Sequence, residues 1–252
     1  VTWSQSRAAR LMPFPSCGAG GTCATNYHCY AKANLCIPDY EQHASRRTGG
    51  GWGSGKWTKP ADLTAGLSGT RFAHHGSIVA LSSNSVHAVW MQGDPKRQIY
   101  YARFNGTKWS SPEYTKLGAH TADLQVDSTH IHVFSNKASV ARRSLGTPGW
   151  SVVANLSTKT EINFVKLALD TGGRLHAVWN SSYRIMYSRT DNSGSWRKPR
   201  AVSPASAHGH EPWLDVDSKG NVHIVWSECT PPACKGEFGA IYYLRTRYSE
   251  IP

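Results

Sequence analysis

The sequence repeats one short stretch, Leu175-His176-Ala177-Val178-Trp179, at three other places: Val86-His87-Ala88-Val89-Trp90, Ile131-His132-Val133-Phe134 and Val222-His223-Ile224-Val225-Trp226. Residues typical of tight turns precede the four copies: Ser82-Ser83-Asn84, Asp127-Ser128, Asp170-Thr171-Gly172-Gly173 and Asp217-Ser218-Lys219-Gly220. Short apolar runs between such turns predict antiparallel strands, and their recurrence predicts a repeat architecture.

Each copy continues with two more strand-like stretches. The first is aromatic and basic, as in Ile99-Tyr100-Tyr101-Ala102-Arg103, Ile185-Met186-Tyr187-Ser188-Arg189 and Ile241-Tyr242-Tyr243-Leu244-Arg245. The second copy is degenerate here, with Ala141 in the Tyr position and Arg143 retained. The last stretch begins with Trp: Lys108-Trp109-Ser110-Ser111-Pro112, Gly149-Trp150 and Ser195-Trp196-Arg197-Lys198-Pro199. Four short strands in about 45 residues correspond to one blade of a β-propeller.

The two ends of the repeat region complement each other. The fourth copy stops after its third strand, and the missing Trp strand occurs earlier as Lys56-Trp57-Thr58-Lys59-Pro60. A ring closed in this way has no open sheet edge. The sequence therefore predicts an all-β, four-bladed β-propeller over residues 50–252, closed by an N-terminal strand. Its blades are expected at about 68–117, 118–159, 160–204 and 205–252 plus strand 56–64.

Residues 1–49 are predicted to form a small, disulfide-rich N-terminal extension. Four cysteines cluster in this segment and two more flank a short loop: Cys17, Cys23, Cys29, Cys36, Cys229 and Cys234. Their even number and loop-rich setting favour disulfides, since zinc sites prefer closer Cys-x2-4-Cys pairs. We therefore expect a secreted or cell-surface protein in its mature form, with its leader removed.

The composition restricts the partners. A net charge of +12 and a pI near 9.6 favour polyanions, an acidic polysaccharide above all. The basic residues are scattered and form no single run, which argues against nucleic acid. The mean hydropathy is −0.46, and no apolar stretch is long enough to predict a membrane span.

One ring of positions is a candidate metal site. Counting back from the recurring histidine, the equivalent positions in the first strands are His74, His120, Asn163 and His210. Three imidazoles around a propeller axis would suit a single transition metal, zinc or copper, with His74, His120 and His210 as ligands. The alternative is that these side chains lie on solvated loops and never converge. The recurring histidines themselves are expected to be structural.

Other residues break the repeat near the same face: Arg71, His75, Lys166, His208, Glu211 and Trp213. A Trp beside histidines and cations suits a sugar ring with an acidic group. The alternative is that Trp213 only packs between blades.

The His-Ala-Val-Trp, Ile-Tyr-Tyr-x-Arg and Trp-x-x-Pro pattern, from about residue 56 to 252, resembles the sialidase-like (BNR-type) propeller repeats of secreted bacterial proteins. It also resembles the repeats of propeller polysaccharide lyases. That second resemblance implies a His or Tyr base, a Tyr or His acid, and an Arg that neutralises a uronate. The chain departs from sialidases, because it has too few blades and no carboxylate pair for hydrolysis. Its segment from Asp191 to Trp196 only approximates the sialidase Asp-box.

Together these patterns favour a secreted glycan-active propeller that binds or cleaves an anionic polysaccharide at its axial face. The catalytic candidates for a lyase are His75, His208, His210 and Arg71, and the substrate-binding candidates are Trp213, Lys166, Asn163 and Glu211. Two alternatives stay open: a non-catalytic lectin or adhesion module, and a metalloenzyme with an axial three-histidine site.

Overall fold

The structure is a computed structural model. It describes the backbone of six short strands between residues 2 and 57, and the backbone and side chains of residues 61–64, 67, 73–93, 96–157, 162–229 and 239–247, apart from the His74 side chain. These residues form strands, turns and loops only. None of them belongs to a helix of the length and apolar character that crossing a membrane requires.

The chain divides into two compact units, Val1–Glu113 and Tyr114–Pro252. The first unit begins with seven short strands: β1 (Thr2–Gln5), β2 (Tyr27–Tyr30), β3 (Leu35–Pro38), β4 (Glu41–Ala44), β5 (Arg47–Thr48), β6 (Lys56–Trp57) and β7 (Ala61–Asp62). They form three small sheets, β1-β4-β7, β2-β3 and β5-β6. The predicted boundary after residue 49 lies inside this unit.

Two sequence predictions concern this region. The strand expected to close the ring, Lys56–Trp57, has Arg47–Thr48 as its partner among the described strands, so closure of the ring stays a prediction. The backbone register of β2 and β3 places Cys29 opposite Cys36. Cys229 is buried and disulfide-bonded, whereas the side chains of the N-terminal cysteines lie outside the described residues. The wider disulfide framework stays a prediction.

Four antiparallel sheets follow, one for each sequence repeat. The first blade is β8 (Ala73–Ser82), β9 (Ser85–Gln92), β10 (Gln98–Phe104) and β11 (Glu113–Tyr114). The second is β12 (Ala122–Val126), β13 (His130–Ser135), β14 (Ser139–Ser144) and β15 (Ser151–Asn155). The third is β16 (Ile162–Leu169), β17 (Leu175–Ser181), β18 (Arg184–Arg189) and β19 (Arg200–Ala201). The fourth is β20 (Gly209–Val216), β21 (Asn221–Glu228) and β22 (Ala240–Arg247). Neighbours in sequence pair within every blade.

Side chains of β17 alternate between its two faces, and they pack the third blade against both the second and the fourth blade. Ala177 and Trp179 belong to a buried cluster with residues of the second blade, and the Trp179 ring meets Phe134 edge-on at 5.6 Å. Val178, between them in sequence, belongs to a second cluster with residues of the fourth blade. Side chains of successive strand residues point to opposite faces, so this one strand contributes to two cores.

The recurring histidine joins strands within its blade. His176 is fully buried, and its Nδ1 lies 2.7 Å from the Tyr187 hydroxyl while its Nε2 lies 3.4 Å from Asp170 Oδ2. His87 and His223 bond Tyr101 and Tyr243 in the same way, each at 2.8 Å. The structural role predicted for these histidines is confirmed, because each satisfies both ring nitrogens inside its own sheet.

The second blade departs from this arrangement, and the sequence alignment there was wrong by one residue. The register pairs His132 with Arg142 and Phe134 with Val140. Val140 therefore holds the Tyr position and Arg142 the Arg position, instead of Ala141 and Arg143. The error arises because hairpin loops differ in length between repeats, so equivalence is fixed by pairing and not by counting along the chain.

Candidate functional site

A β-bulge interrupts the first strand of three blades. The bulges contain His75, Phe164 and Glu211, and these residues have positive φ angles of 56°, 47° and 48°. Non-glycine residues rarely adopt this conformation, and bulges often re-aim side chains beside functional sites. The shared bulge makes the first-strand entry ends equivalent, as the sequence predicted for His74, Asn163 and His210. Those three lie opposite Met91, Asn180 and Ser227, each four residues after the recurring histidine.

The fourth member of that ring differs from the prediction. Strand β12 has no bulge, and Asn136, four residues after His132, donates its backbone N–H to the Thr121 carbonyl. Thr121 thus occupies the position that the sequence assigned to His120. His120 lies one residue earlier, is exposed, and donates its backbone N–H to Asn136 Oδ1 at 2.9 Å.

The metal site stays a prediction. The described residues contain no group of three or more His, Cys, Asp or Glu side chains arranged to hold a metal ion. The side chain of His74, one of the three proposed ligands, lies outside them, as does Arg71. Elemental analysis of the dialysed protein is the direct test of this site.

An aromatic ring between two histidines stands out in the second unit. The Tyr183 ring stacks on His208 at a centroid distance of 5.1 Å and meets His210 edge-on at 5.3 Å. Tyr183 is 49% exposed. Ser182 and Tyr183 form the tight turn between β17 and β18, both with positive φ, and this turn carries the ring to the end of the third blade.

The backbone around Gly209 fixes this cluster, named here the Tyr183 cluster (Tyr183, His208 and His210). Gly209 donates its N–H to the Tyr183 carbonyl at 2.8 Å and accepts a hydrogen bond from the Asn180 side-chain amide. A Cβ at Gly209 would stand 2.7 Å from the Ile185 side chain, so only glycine permits this approach. The two histidines flank that glycine and are therefore held against the third blade.

His210 is suited to accept a proton. Burial lowers its pKa, the neighbouring Glu211 raises it, and His208 lowers it further, so the balance lies below the ordinary value of 6.5. The His210 imidazole is therefore neutral at pH 7. The backbone carbonyl of His210 accepts a hydrogen bond from the Ser227 hydroxyl at 3.2 Å. A neutral imidazole near a half-exposed phenol provides a base and an acid.

Lys166 lies between an aromatic ring and a carboxylate. Its Nζ is 3.9 Å from the centroid of the Trp213 ring and 3.9 Å from Asp123 Oδ1. The three residues lie at equivalent positions of β16, β20 and β12, opposite Val178, Val225 and Phe134. Trp213 is 59% exposed, whereas Asp123 is buried and also accepts the Leu167 N–H at 2.9 Å. This row offers an exposed aromatic surface with a cation beside it.

The structure thus gathers some predicted residues and leaves others apart. It groups His208 with His210 and Lys166 with Trp213, while Asn163 and Glu211 are exposed at their bulges. His75 is exposed at the bulge of the first unit. The functional roles assigned to these residues stay predictions. Sequence reasoning missed Tyr183, although a bulky aromatic residue in a two-residue turn was a usable signal.

No protein-family model and no curated protein matches the chain. Solved structures do: a triple arginine-to-alanine mutant of AofleA from Arthrobotrys oligospora has a TM-score of 0.54 and 11% identity, covering 83% of this chain and 62% of that one. The GH93 α-L-arabinofuranosidase of Fusarium graminearum has a TM-score of 0.50 and 12% identity, covering 69% and 62%. The leech intramolecular trans-sialidase has a TM-score of 0.50 and 11% identity, covering 88% and 39%.

The chain therefore spans less than two thirds of the length of each of these structures. At such identities the likeness concerns the fold alone. Together with the four antiparallel sheets, it identifies a sialidase-like β-propeller fold. The number of blades and the closure of the ring stay predictions.

Proposed function

We propose that this chain binds an acidic polysaccharide at the Tyr183 cluster and cleaves it by β-elimination. The observation that carries the proposal is the half-exposed Tyr183 ring between His208 and the neutral His210. Two structures of similar fold were solved with saccharides, arabinobiose in one and 2,7-anhydro-Neu5Ac in the other. A sugar ligand is thus compatible with this scaffold.

Elimination needs one base, one acid and a neutralised uronate. The neutral His210 imidazole takes the proton from the carbon next to the uronate carboxyl group. The Tyr183 hydroxyl gives its proton to the departing glycosidic oxygen as that carbon–oxygen bond breaks. The electron pair of the broken C–H bond becomes the new double bond, so the step consumes neither water nor an oxidant.

Lys166 and Trp213 are assigned to binding. The exposed Trp213 ring offers an apolar face to a sugar, and the Lys166 ammonium group beside it offers a charge to the uronate carboxylate. Lys166 takes the place that the sequence analogy gave to an arginine. The net charge of +12 draws a polyanion towards the chain.

The test uses the full chain with polygalacturonate, alginate and a glucuronate-containing polymer, followed by ultraviolet absorbance of the unsaturated uronyl product. We expect turnover of one of them, and its loss in Tyr183→Phe and His210→Gln. Tyr242→Phe is the matched control, because this tyrosine is 45% exposed and stacks on Trp226 in another part of the fourth blade. Turnover by Tyr183→Phe at the rate of the unaltered chain would refute the assignment.

A lectin is the second candidate, and one observation favours it. Asp123 lies 3.9 Å from the Lys166 ammonium group and already balances much of its charge, which weakens its effect on a reacting carboxylate. Retardation of the chain in gels that contain the polymer, without any unsaturated product, would select binding over catalysis. Trp213→Ala would then abolish the retardation, because the exposed stacking surface is lost.

A further inference from the structure

A hydrogen bond of the recurring tryptophan indole, present in the first and fourth blades, is missing from the third blade. The indole Nε1 of Trp90 donates to Gln92 Oε1 at 2.7 Å, and that of Trp226 donates to Glu228 Oε1 at 2.7 Å. In both cases the acceptor follows the Trp by two residues. In the third blade that position is Ser181, whose side chain is too short to act as the same acceptor.

The consequence is an unpaired donor in the core. Trp179 is fully buried, and its Nε1 has no hydrogen-bond partner among the residues that the structure describes. Arg184 has a second such donor: its Nη2 donates to the Ser203 carbonyl at 2.9 Å, but its buried Nε is likewise without a partner there. Buried donors in native proteins are nearly always paired, so two of them call for an acceptor from elsewhere.

Both side chains line one cavity. It has a volume of about 270 Å³ and is bounded by Trp179, Ser181 and Arg184 together with Leu156, Met186 and Pro199 of the second and third blades. Its described lining contains no carboxylate. Two unpaired N–H donors in the lining of one cavity, one from an indole and one from a guanidinium group, suit an oxyanion.

A larger basic cavity adjoins the first. Its volume is about 780 Å³, and it shares Leu156 and Pro199 with the smaller one. Five of its described lining residues are basic: His130, His132, Arg142, Arg197 and Lys198. The one carboxylate in that lining, Asp127, is held by His132 at 2.6 Å.

The second blade departs from the repeat at this same cleft. Because Val140 replaces the usual tyrosine, His132 has only Asp127 as a hydrogen-bond partner among the described residues, and it lines the larger cavity. In the first, third and fourth blades the equivalent imidazole is tied to a Tyr hydroxyl. Ser181 lines the smaller cavity and His132 lines the larger one, so both departures from the repeat affect this pair of adjoining cavities.

We propose that the cleft between the second and third blades is a second ligand site, in which Trp179 Nε1 and Arg184 Nε bind a carboxylate or sulfate group carried by a saccharide. The adjoining basic cavity takes the rest of that ligand. The site uses other side chains than the Tyr183 cluster, although Ser181 and Arg184 flank the turn that holds Tyr183, and it does not depend on the elimination proposed there.

The test supplies the missing acceptor from inside the protein. Ser181→Gln copies the arrangement of Trp90 and Gln92, so the new amide oxygen occupies the place of the ligand oxyanion. Ser181→Ala is the matched control, because it also removes the hydroxyl but adds no acceptor. Calorimetric titrations with glucuronate, a glucose sulfate ester, free sulfate and glucose are run on each full chain.

We expect glucuronate or the sulfate ester to bind the unaltered chain and the Ser181→Ala variant with equal affinity. Their affinity for the Ser181→Gln variant should be at least tenfold weaker. Glucose should bind none of the three chains. Equal affinity for free sulfate and its sugar ester would assign the site to the free ion. A melting temperature of Ser181→Gln at or above that of the unaltered chain shows that the variant is folded.

Two results would overturn the proposal. One is binding of the acidic sugars by Ser181→Gln with unchanged affinity. The other is an indole N–H resonance of Trp179, assigned by comparison with Trp179→Phe, that does not shift when the acidic sugar is added. Persistence of polymer cleavage or retardation in Ser181→Gln would show that the Tyr183 cluster acts independently, so failure at one site is distinguishable from failure at the other.

Discussion

The hydroxyl oxygen of Tyr187 lies 2.7 Å from Nδ1 of His176, and both side chains are buried. Tyr187→Phe removes the hydroxyl and leaves the imidazole nitrogen without its partner in a site that water does not readily reach. We expect the free energy of unfolding to fall by about 1–3 kcal/mol, the usual cost of an unsatisfied buried polar group. Urea denaturation measures it.

The fourth blade supplies the control for that change. Tyr243 bonds His223 at 2.8 Å, but Tyr243 is 59% exposed. Water can replace the lost hydroxyl there, so Tyr243→Phe should cost less than about 1 kcal/mol. Equal losses for the two variants would show that burial does not determine the strength of this repeated bond.

The turn aspartates predict how stability depends on acid. Burial raises the pKa of Asp127, but hydrogen bonds from His132, Thr129 and His130 outweigh it and lower the pKa from 3.8 to about 2. A lowered carboxylate pKa stabilises the fold fully above the unfolded value, and this contribution is lost as the pH falls through the folded value. We expect the free energy of unfolding to drop between about pH 4 and pH 2, and Asp127→Asn to flatten that part of the curve.

Histidines add a second window at higher pH. Burial lowers the pKa of His176, and this effect outweighs the hydrogen bond and charge of Asp170, which raise it. The unfolded chain therefore binds a proton more readily, and stability falls as the pH drops below about 6.5. Thermal unfolding between pH 7.5 and pH 5 measures this loss. A flat profile over that range would contradict the neutral, buried imidazole.

The bulge in β16 can be tested through Phe164, which has a φ of 47° and is 37% exposed. Phe164→Gly should leave stability unchanged or raise it, because glycine adopts this conformation without steric cost. Phe164→Val should lower the free energy of unfolding by about 1–2 kcal/mol, since left-handed backbone is costly for other residues and most of all for β-branched ones. Chemical denaturation measures the free energy of unfolding of both variants. A Phe164→Gly variant less stable than the Phe164→Val variant would contradict the bulge conformation at this position.

The row formed by Asp123, Lys166 and Trp213 gives a prediction about specificity. Lys166→Met keeps an apolar chain against Trp213 but removes the charge. We expect affinity for acidic oligosaccharides to fall about tenfold, the size of one charged hydrogen bond, with little change for neutral ones. Calorimetry with uronate and neutral oligosaccharides of equal length compares the two. A similar loss for both would show that Lys166 acts through packing alone.

The repeat in the sequence contained most of the fold, because every copy marks its strands by the same alternation and its turns by Asp, Asn, Ser and Gly. It was weakest where loops differ in length. A missing bulge placed Thr121, and not His120, in the ring, and Val140 and Arg142 took the positions assigned to Ala141 and Arg143. Such shifts follow from strand pairing, which a single sequence does not record.

The candidate site was harder to predict for a related reason. Lys166, His208, His210 and Trp213 could be selected as departures from the repeat, but their partners could not. Tyr183 of the third blade contacts His208 and His210 at the start of the fourth blade. In the same way, Asp123 of the second blade contacts Lys166 of the third. These contacts join positions far apart in sequence, and no local sequence pattern predicts them.

The bulges at His75, Phe164 and Glu211 bear on how such a protein can change over evolutionary time. The three positions share one backbone conformation but have an imidazole, a phenyl ring and a carboxylate. An extra residue outside the ladder is released from the alternation that the neighbouring positions must keep, so its side chain can be exchanged in one blade without repacking the others. Duplication of a blade therefore also duplicates a position that is free to diverge, and a ring of identical units can acquire different chemistry one unit at a time.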